Sequence, residues 1–382
     1  MVSHSNRFPH GELGIIALSS CKELGGKIDD HIKERRGPDN RPSFEKNSYI
    51  IEIEEIRFSN GEAKTRLRES VRGRDIYILC DPGNYSCTYD FYGYQNQKSP
   101  DDHFQDVKRA VAAVCGKAAR ATVVMPMMYA SRQDHRRGRE SLDCAIALQE
   151  LDKMGVKNII SYDLHNSRVQ NSVPLSSFEN LYATYGILEQ FMSDEKSVVM
   201  DANNLLVISP DPGGMERAIY YAGVLGTDVG MFYKRRDYMH VVNGSNPIVQ
   251  HDYLGPPVLG KNVFIVDDIL ASGDSLIDVA EEMKTRGAMN IFIAVTYGLF
   301  TKGYERFHRL YENGHFNRVY STNLTYIPEE RKKFEWFTEV DMSSNLAEYL
   351  DILNHDESIE PIIDATGLLR ENITNRRANK IN

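Results

Sequence analysis

The sequence predicts an α/β protein of two domains, each a mainly parallel sheet flanked by helices. Three observations carry this. Short apolar runs alternate with helix-like stretches, the strand–helix rhythm of parallel sheets. The rhythm occurs twice. The 382 residues are enough for two domains of ordinary size.

In order, GIIALSS (14–20) predicts a strand and KELGGKIDDHIKE (22–34) a helix. DIYILC (75–80) predicts a strand, and residues 102–118 a helix. ATVVMP (121–126) is a strand, residues 140–155 a helix, and NIISYD (158–163) a strand. The pattern then restarts. FENLYATYGILEQFM (178–192) predicts a helix, residues 204–210 a strand, residues 213–226 a helix and VGMFYK (229–234) a strand. VFIVDD (263–268), residues 275–287 and NIFIAVTYG (290–298) complete a strand–helix–strand unit. The junction falls near Val173 to Glu179, giving domains over 13–175 and 176–364 and a polar tail over 365–382. The last helix of the second domain is free to pack on the first. Residues 81–102, rich in Tyr, Asn, Gln, Gly and Pro, predict a long loop or an insertion.

Composition narrows the function classes. A formal net charge of −9, with no long basic run before the C-terminal tail, argues against nucleic acid as a partner. Cys21, Cys80, Cys87, Cys115 and Cys144 form no CxxC pair, which suits reduced thiols in a cytoplasm. The first residues lack the apolar core of a signal peptide, and no apolar run approaches the ~18 residues that span a bilayer. The expectation is a cytoplasmic protein without a membrane partner.

Parallel sheets bind ligands beyond the carboxyl ends of their strands. In VFIVDDILASGDSL (263–276) such an end delivers Asp267 and Asp268, then a turn of Ala271, Ser272, Gly273, Asp274 and Ser275 that opens a helix. Exposed N–H groups in that turn attract a phosphate. The carboxylates repel a phosphate and suit ribose hydroxyls or a magnesium ion. Together the parts describe a site for a phosphorylated sugar.

This stretch resembles the phosphoribosyl-binding motif shared by type I phosphoribosyltransferases and ribose-phosphate pyrophosphokinases. Other segments resemble the second family alone. SYDLHNSRVQ (161–170) is similar to its DLH motif, and residues 125–141 to its segment ending in RQD. FSNGE (58–62) is similar to its adenine-binding loop, SPDPGG (209–214) to its SPDxGG motif, FYKRR (232–236) to the start of its catalytic loop, and VTYGLFTKG (295–303) to its THGxF segment. Each alone is ordinary. Six in family order, from about Leu13 to about Asp364, are specific.

The resemblance implies two phosphoribosyltransferase-like domains, ATP on the first and ribose 5-phosphate on the second. It implies transfer of a diphosphoryl group from Mg-ATP to the anomeric hydroxyl, giving phosphoribosyl pyrophosphate and AMP for nucleotide biosynthesis. Lys234, Arg236 and His165 become the catalytic candidates. Phe58, Asn60, Glu62, Arg132 and Gln133 become the ATP contacts. Asp267, Asp268 and residues 271–275 become the ribose 5-phosphate contacts, with His165 and Asp211 the candidate magnesium ligands. It also implies a homo-oligomer whose ATP site is shared between subunits. A phosphoribosyltransferase shares only the sugar loop. A silent regulatory homologue would share the fold.

Departures from the family pattern fall at residues 171–173 after the DLH segment, at Tyr297, over 114–122 and in the sugar loop. The last bear on the phosphate. Ala271 replaces a usual aspartate, and Asp274 replaces a usual glycine. A carboxylate beside a phosphate weakens binding unless it turns away or is compensated. The expectation is an altered loop shape or an outward charge.

Overall fold

Every central strand is an apolar run because helices cover both faces of its sheet, so no side is left for water. In the computed structural model these runs build two parallel sheets. It describes residues 8–37, 47–136, 138–236, 248–359, 367 and 369–374, with 234–236 and 248–251 as backbone alone. Two compact units result. The first holds residues 1–182, 323–326 and 341–363, and the second holds 183–322, 327–340 and 364–382.

In the first unit the elements run β1 (Glu12–Ala17), α1 (Lys22–Arg36), β2 (Ile53–Arg57), β3 (Ala63–Leu67), β4 (Arg74–Leu79), β5 (Thr88–Phe91) and β6 (Tyr94–Gln97). There follow α2 (Pro100–Val114), β7 (Arg120–Val124), α3 (Asp143–Lys153), β8 (Asn158–Tyr162) and β9 (Ser177–Leu181). The five-stranded sheet has the order β1-β4-β7-β8-β9, all parallel. Two hairpins, β2–β3 and β5–β6, stand apart from it.

The second unit runs α4 (Thr184–Asp194), β10 (Leu205–Ser209), α5 (Met215–Leu225), β11 (Asp228–Arg236), β12 (Ile248–Leu254) and β13 (Asn262–Leu270). Then come α6 (Asp274–Thr285), β14 (Ile291–Gly298), α7 (Glu305–Glu312), β15 (Arg318–Thr322) and β16 (Phe337–Val340). Its sheet order is β12-β11-β10-β13-β14-β15-β16, with β12 antiparallel. The chain winds outward in opposite directions from β10 and β13. The carboxyl ends of those two strands are therefore the switch point at which open α/β sheets bind ligands.

Two elements differ from the sequence reading. Residues 178–192 are a strand and a helix, β9 and α4, rather than one helix. Residues 177–181 are held in register by β8, from Asn158 opposite Ser177 to Tyr162 opposite Leu181. The sheet of the first unit thus runs past the junction read near 173–179. Residues 81–102 are not a long loop: they contain the β5–β6 hairpin and the capped start of α2. Tyr92 and Gly93 both have positive φ, +47° and +84°, the signature of a tight hairpin turn. Ser99 and Asp102 then cap α2 reciprocally.

The chain returns to the first unit through α8 (Ser343–Asn354). Asp351 takes Nε–H bonds from Arg35 at 3.1 Å and Arg36 at 2.7 Å on α1. No described helix is long and apolar enough to cross a membrane.

Asp81 anchors another returning segment. Its carboxylate accepts from the Gly83 N–H at 2.8 Å, the Tyr326 N–H at 2.9 Å and the Thr325 hydroxyl at 3.1 Å. Burial outweighs these donors and pushes its carboxyl up to about 6. The folded protein therefore favours the protonated acid. Its stabilising effect is full below the ordinary carboxyl value of 3.8 and is lost as pH rises through about 6. Asp81→Asn stays neutral at every pH. The stability difference, variant minus wild type, should rise by on the order of 3 kcal/mol between about pH 4 and pH 7. Urea unfolding at both pH values measures it, and a constant difference would refute it.

Candidate functional site

The sugar-type loop grows out of β13. Asp268 is buried, and its N–H donates to Asp267 Oδ1 at 2.9 Å. Arg217 of α5 places Nη1 at 3.7 Å from Asp267 and 3.6 Å from Asp268. Burial and the neighbouring Asp268 charge push the Asp267 carboxyl well above its usual range, and Arg217 opposes them. Sequence reading missed Arg217, which carries no motif signal in its own helix.

After Leu270 the chain turns through Ala271, Ser272 and Gly273 into α6. Gly273 has φ +83°, and a Cβ there would stand 2.5 Å from the Phe307 ring. Only glycine suits this position. Gly273 at the start of α6 has no side chain to cap it. The Ser272 hydroxyl accepts from the Asp274 N–H at 3.4 Å, and an anion is favoured at such a helix start. Ser275 sits in that first turn. The N–H groups of Leu299 and Thr301 donate to the carbonyls of Leu270 and Ala271, both at 2.8 Å, and fix the turn from one side.

Asp274 resolves the expectation raised by its charge. The positive φ falls on Gly273, and Asp274 is the first helical residue. Its carboxylate meets Lys302 Nζ at 2.6 Å and Arg306 Nη1 at 3.0 Å, and the Ser272 hydroxyl donates to it at 3.0 Å. Hydrogen bonds from Lys302 and Ser272 hold its carboxyl below the usual range. The charge is compensated.

Asp211 lies in the turn after β10. Its Oδ1 accepts from the Gly213 and Gly214 N–H groups at 2.8 and 3.1 Å. A Cβ on Gly214 would stand 3.8 Å from Asp267 Oδ1, so this turn lies beside the β13 carboxylates. The backbone of Lys234 and Arg236 belongs to β11. Their side chains lie outside the described residues.

In the first unit the loops after the neighbouring strands β7 and β8 come together. Arg132 and Gln133 are exposed, and the Gln133 N–H donates to the Ala130 carbonyl at 2.8 Å. Burial pushes the Asp134 carboxyl up, but hydrogen bonds from His135 and Asn166 and the charges of His135 and His165 outweigh it and leave it below the usual range. The RQD and DLH segments thus meet through Asp134 and His165. Sequence reading quoted RQD and assigned no role to its aspartate. Ala130 and Asp163 hold positive φ, +54° and +37°, at the starts of these loops. Such strained non-glycine residues concentrate at functional sites.

FSNGE joins β2 to β3. The Phe58 N–H donates to the Glu62 carbonyl at 2.7 Å, and the Asn60 amide donates to the Glu62 carboxylate at 3.0 Å. Phe58 is exposed. The β5–β6 hairpin packs against this loop. The Tyr92 N–H donates to the Ser59 carbonyl at 2.9 Å, and the Arg57 guanidinium lies 4.3 Å from the Tyr89 ring centre. The two hairpins, with α2, border a cavity of about 320 Å³ whose lining includes Glu55, Arg57, Tyr89, Lys98 and Asp106. Lys98 is buried there and bonds Ser19, Glu55 and Asp106 at 2.8, 3.1 and 2.9 Å.

Comparison with known proteins assigns both units. The family model of the N-terminal domain of ribose phosphate pyrophosphokinase matches residues 13–155, and that of the phosphoribosyl transferase domain matches 177–316. A ribose-phosphate pyrophosphokinase of Vibrio cholerae is 29% identical over 319 residues, covering 81% of this chain and 90% of that protein. One from Ralstonia nicotianae is 30% identical over 255 residues, covering 65% and 70%. The solved phosphoribosylpyrophosphate synthetase of Mycobacterium smegmatis has the same fold. Its TM-score is 0.71 at 23% identity, covering 90% of this chain and 99% of that one.

The docking of the β5–β6 hairpin is open to test at Gly61. Its φ is +90°, and a Cβ there would stand 2.8 Å from the Phe91 ring. Gly61→Ala should destabilise the protein by about 1–3 kcal/mol in urea. Adding Phe91→Ala should recover the steric part of that loss. Strict additivity of the two changes would show that the ring does not press on the loop.

Proposed function

The chain belongs to the ribose-phosphate pyrophosphokinase family, and from that premise we propose that it transfers the diphosphoryl group of ATP to ribose 5-phosphate. The observation that carries the reading is the acceptor loop. A central strand delivers two carboxylates, and a glycine turn leads straight into α6.

In this mechanism Asp267 and Asp268 accept hydrogen bonds from the ribose hydroxyls. The turn of Ala271, Ser272, Gly273, Asp274 and Ser275 holds the 5-phosphate on the N–H groups opening α6. Phe58 stacks on adenine, and Asn60 and Glu62 bond its edge. By family resemblance that loop serves a neighbouring subunit, in a homo-oligomer of the cytoplasm. Arg132 and Gln133 donate to the ATP phosphates. The anomeric hydroxyl oxygen attacks the β-phosphorus and gives up its proton to solvent, the bond from that phosphorus to the α-phosphate bridging oxygen breaks, and AMP leaves. Lys234 and Arg236 stabilise the charge that develops on the transferring group.

Magnesium fits the donor set. Among the described residues no group of three or more metal-ligating side chains comes together. Magnesium on a nucleotide needs only one or two carboxylates, the rest coming from water and phosphate oxygens. Asp211 in the second unit is the carboxylate that would hold it there, and His165 is the ligand that the family resemblance proposes in the first. When bound, the ion neutralises phosphate oxygens.

The test is AMP release by purified protein with Mg-ATP and ribose 5-phosphate, and no added base. Omitting the base excludes a phosphoribosyltransferase. Lys234→Ala should lower turnover about a hundredfold to a thousandfold while leaving the unfolding midpoint near wild type. Near-full turnover in that variant would sink the assignment. A wild type that makes no AMP but alters the activity of a partner synthetase would establish the regulatory homologue instead.

A further inference from the structure

Asp274 occupies the first residue of the helix whose N-terminus is proposed to hold a phosphate. A bare carboxylate there repels the ligand. Yet two cations converge on it, and both come from one short segment. Lys302 lies in the connection between β14 and α7, and Arg306 lies in the first turn of α7. This segment is fixed against the acceptor loop by the Leu299 and Thr301 N–H bonds and by the Phe307 ring against Gly273. It is also fixed from behind. Arg331 is fully buried, reaches the Gly298 carbonyl, donates to the Tyr304 hydroxyl at 3.1 Å and lies 4.5 Å from the Phe300 ring centre.

The two cations are not equivalent. Arg306 is committed elsewhere as well: its Nη2 meets Asp278 at 2.9 Å and Glu281 at 3.5 Å on the outer face of α6. Lys302 is 68% exposed, and Asp274 is the one ion partner found for it among the described residues. An ammonium carries three donors. One reaches Asp274, the first residue of α6, which leaves two for a ligand.

We propose that Lys302 is a phosphate-binding residue of the acceptor loop, and that Asp274 is the positioning residue that holds its ammonium there. This rests on the reading of residues 271–275 as the sugar-phosphate loop. The ligand class is a sugar phosphate monoester. Its phosphate meets the first N–H groups of α6 and the Lys302 ammonium together. Lys302 and Arg306 cancel the charge of Asp274. A glycine at position 274 would leave the lysine untethered on a flexible stem, and ordering it would then fall to the ligand.

The experiment uses the full-length protein. Calorimetry measures ribose 5-phosphate affinity, and AMP release measures kcat and both KM values. Lys302→Met should weaken ribose 5-phosphate binding about tenfold, the loss of one charge-assisted hydrogen bond. It should leave kcat within about twofold and the KM for ATP unchanged. Asp274→Gly should also weaken binding, and should add little to Lys302→Met in the double variant. Lys302 is exposed, so its truncation should leave the unfolding midpoint in place. Lys302→Arg should restore part of the affinity, which a purely structural role would not predict. The proposal is overturned if Asp274→Gly tightens ribose 5-phosphate binding, or if Lys302→Met leaves it unchanged in an active enzyme. A wild type that neither binds ribose 5-phosphate nor releases AMP overturns the loop reading, and the proposal with it.

Discussion

Two adjacent carboxylates at the carboxyl end of β13 set the terms on which the second unit is built. Taking such a pair out of water disfavours their charges, and each charge disfavours the other. The fold answers locally. Arg217 approaches both from α5, and the Asp268 N–H bonds Asp267. Each answer constrains something else. α5 must present Arg217 at the right turn, so the β10–α5 connection must be short and close. Gly214 lies at that connection, where a Cβ would crowd the Ser209 hydroxyl at 2.9 Å. A sugar with paired hydroxyls satisfies the same carboxylates with donors that add no charge. The pair is costly by itself and suits the ligand proposed for it.

The same logic shows which parts were legible in the sequence. β10, β13 and β14 were legible because strands buried on both faces are continuous apolar runs. Their polar ends stood out because open α/β sheets bind ligands beyond such ends. β9 was not. It is an edge strand of mixed exposure, SFENL, and only pairing with β8 makes it a strand. The β5–β6 hairpin was hidden for a related reason: most of its side chains are exposed, so no alternation of apolar and polar residues marks it. Its turn at Tyr92 and Gly93 was the available signal.

The site divides along the same line. Of the proposed contacts, Asp267, Asp268 and Gly273 were visible as candidates because motif and chemistry coincide in one continuous stretch. Arg217, Lys302 and Arg306 were not, since their partners are remote in sequence. Lys302 and Arg306 stand 28 and 32 residues from Asp274. Local pattern contains no record of such pairings. Asp274 shows the consequence. Its charge was visible in the sequence and its compensation was not, so it read as a defect. The geometry makes it part of an ion-paired cluster.

In the first unit, rigidity comes from strands and capped turns, and chemistry is carried where the backbone leaves them. Ala130 and Asp163 hold positive φ just past β7 and β8. Such conformations persist only where the surroundings over-determine them. For Asp163 the surroundings include an N–H bond to the Leu181 carbonyl of β9. The edge strand that sequence reading missed therefore fixes the loop that carries His165. The FSNGE loop depends on its neighbours in the same way. Five residues between two short strands do not hold a base-sized surface still by themselves. The reciprocal bonds of Asn60 and Glu62 close the turn from within, and Tyr92 and Phe91 of the β5–β6 hairpin close it from outside. The hairpin thus adds no motif of its own. It narrows the conformations available to a motif that was already there, which would lower the entropy lost in the adenine binding proposed for it.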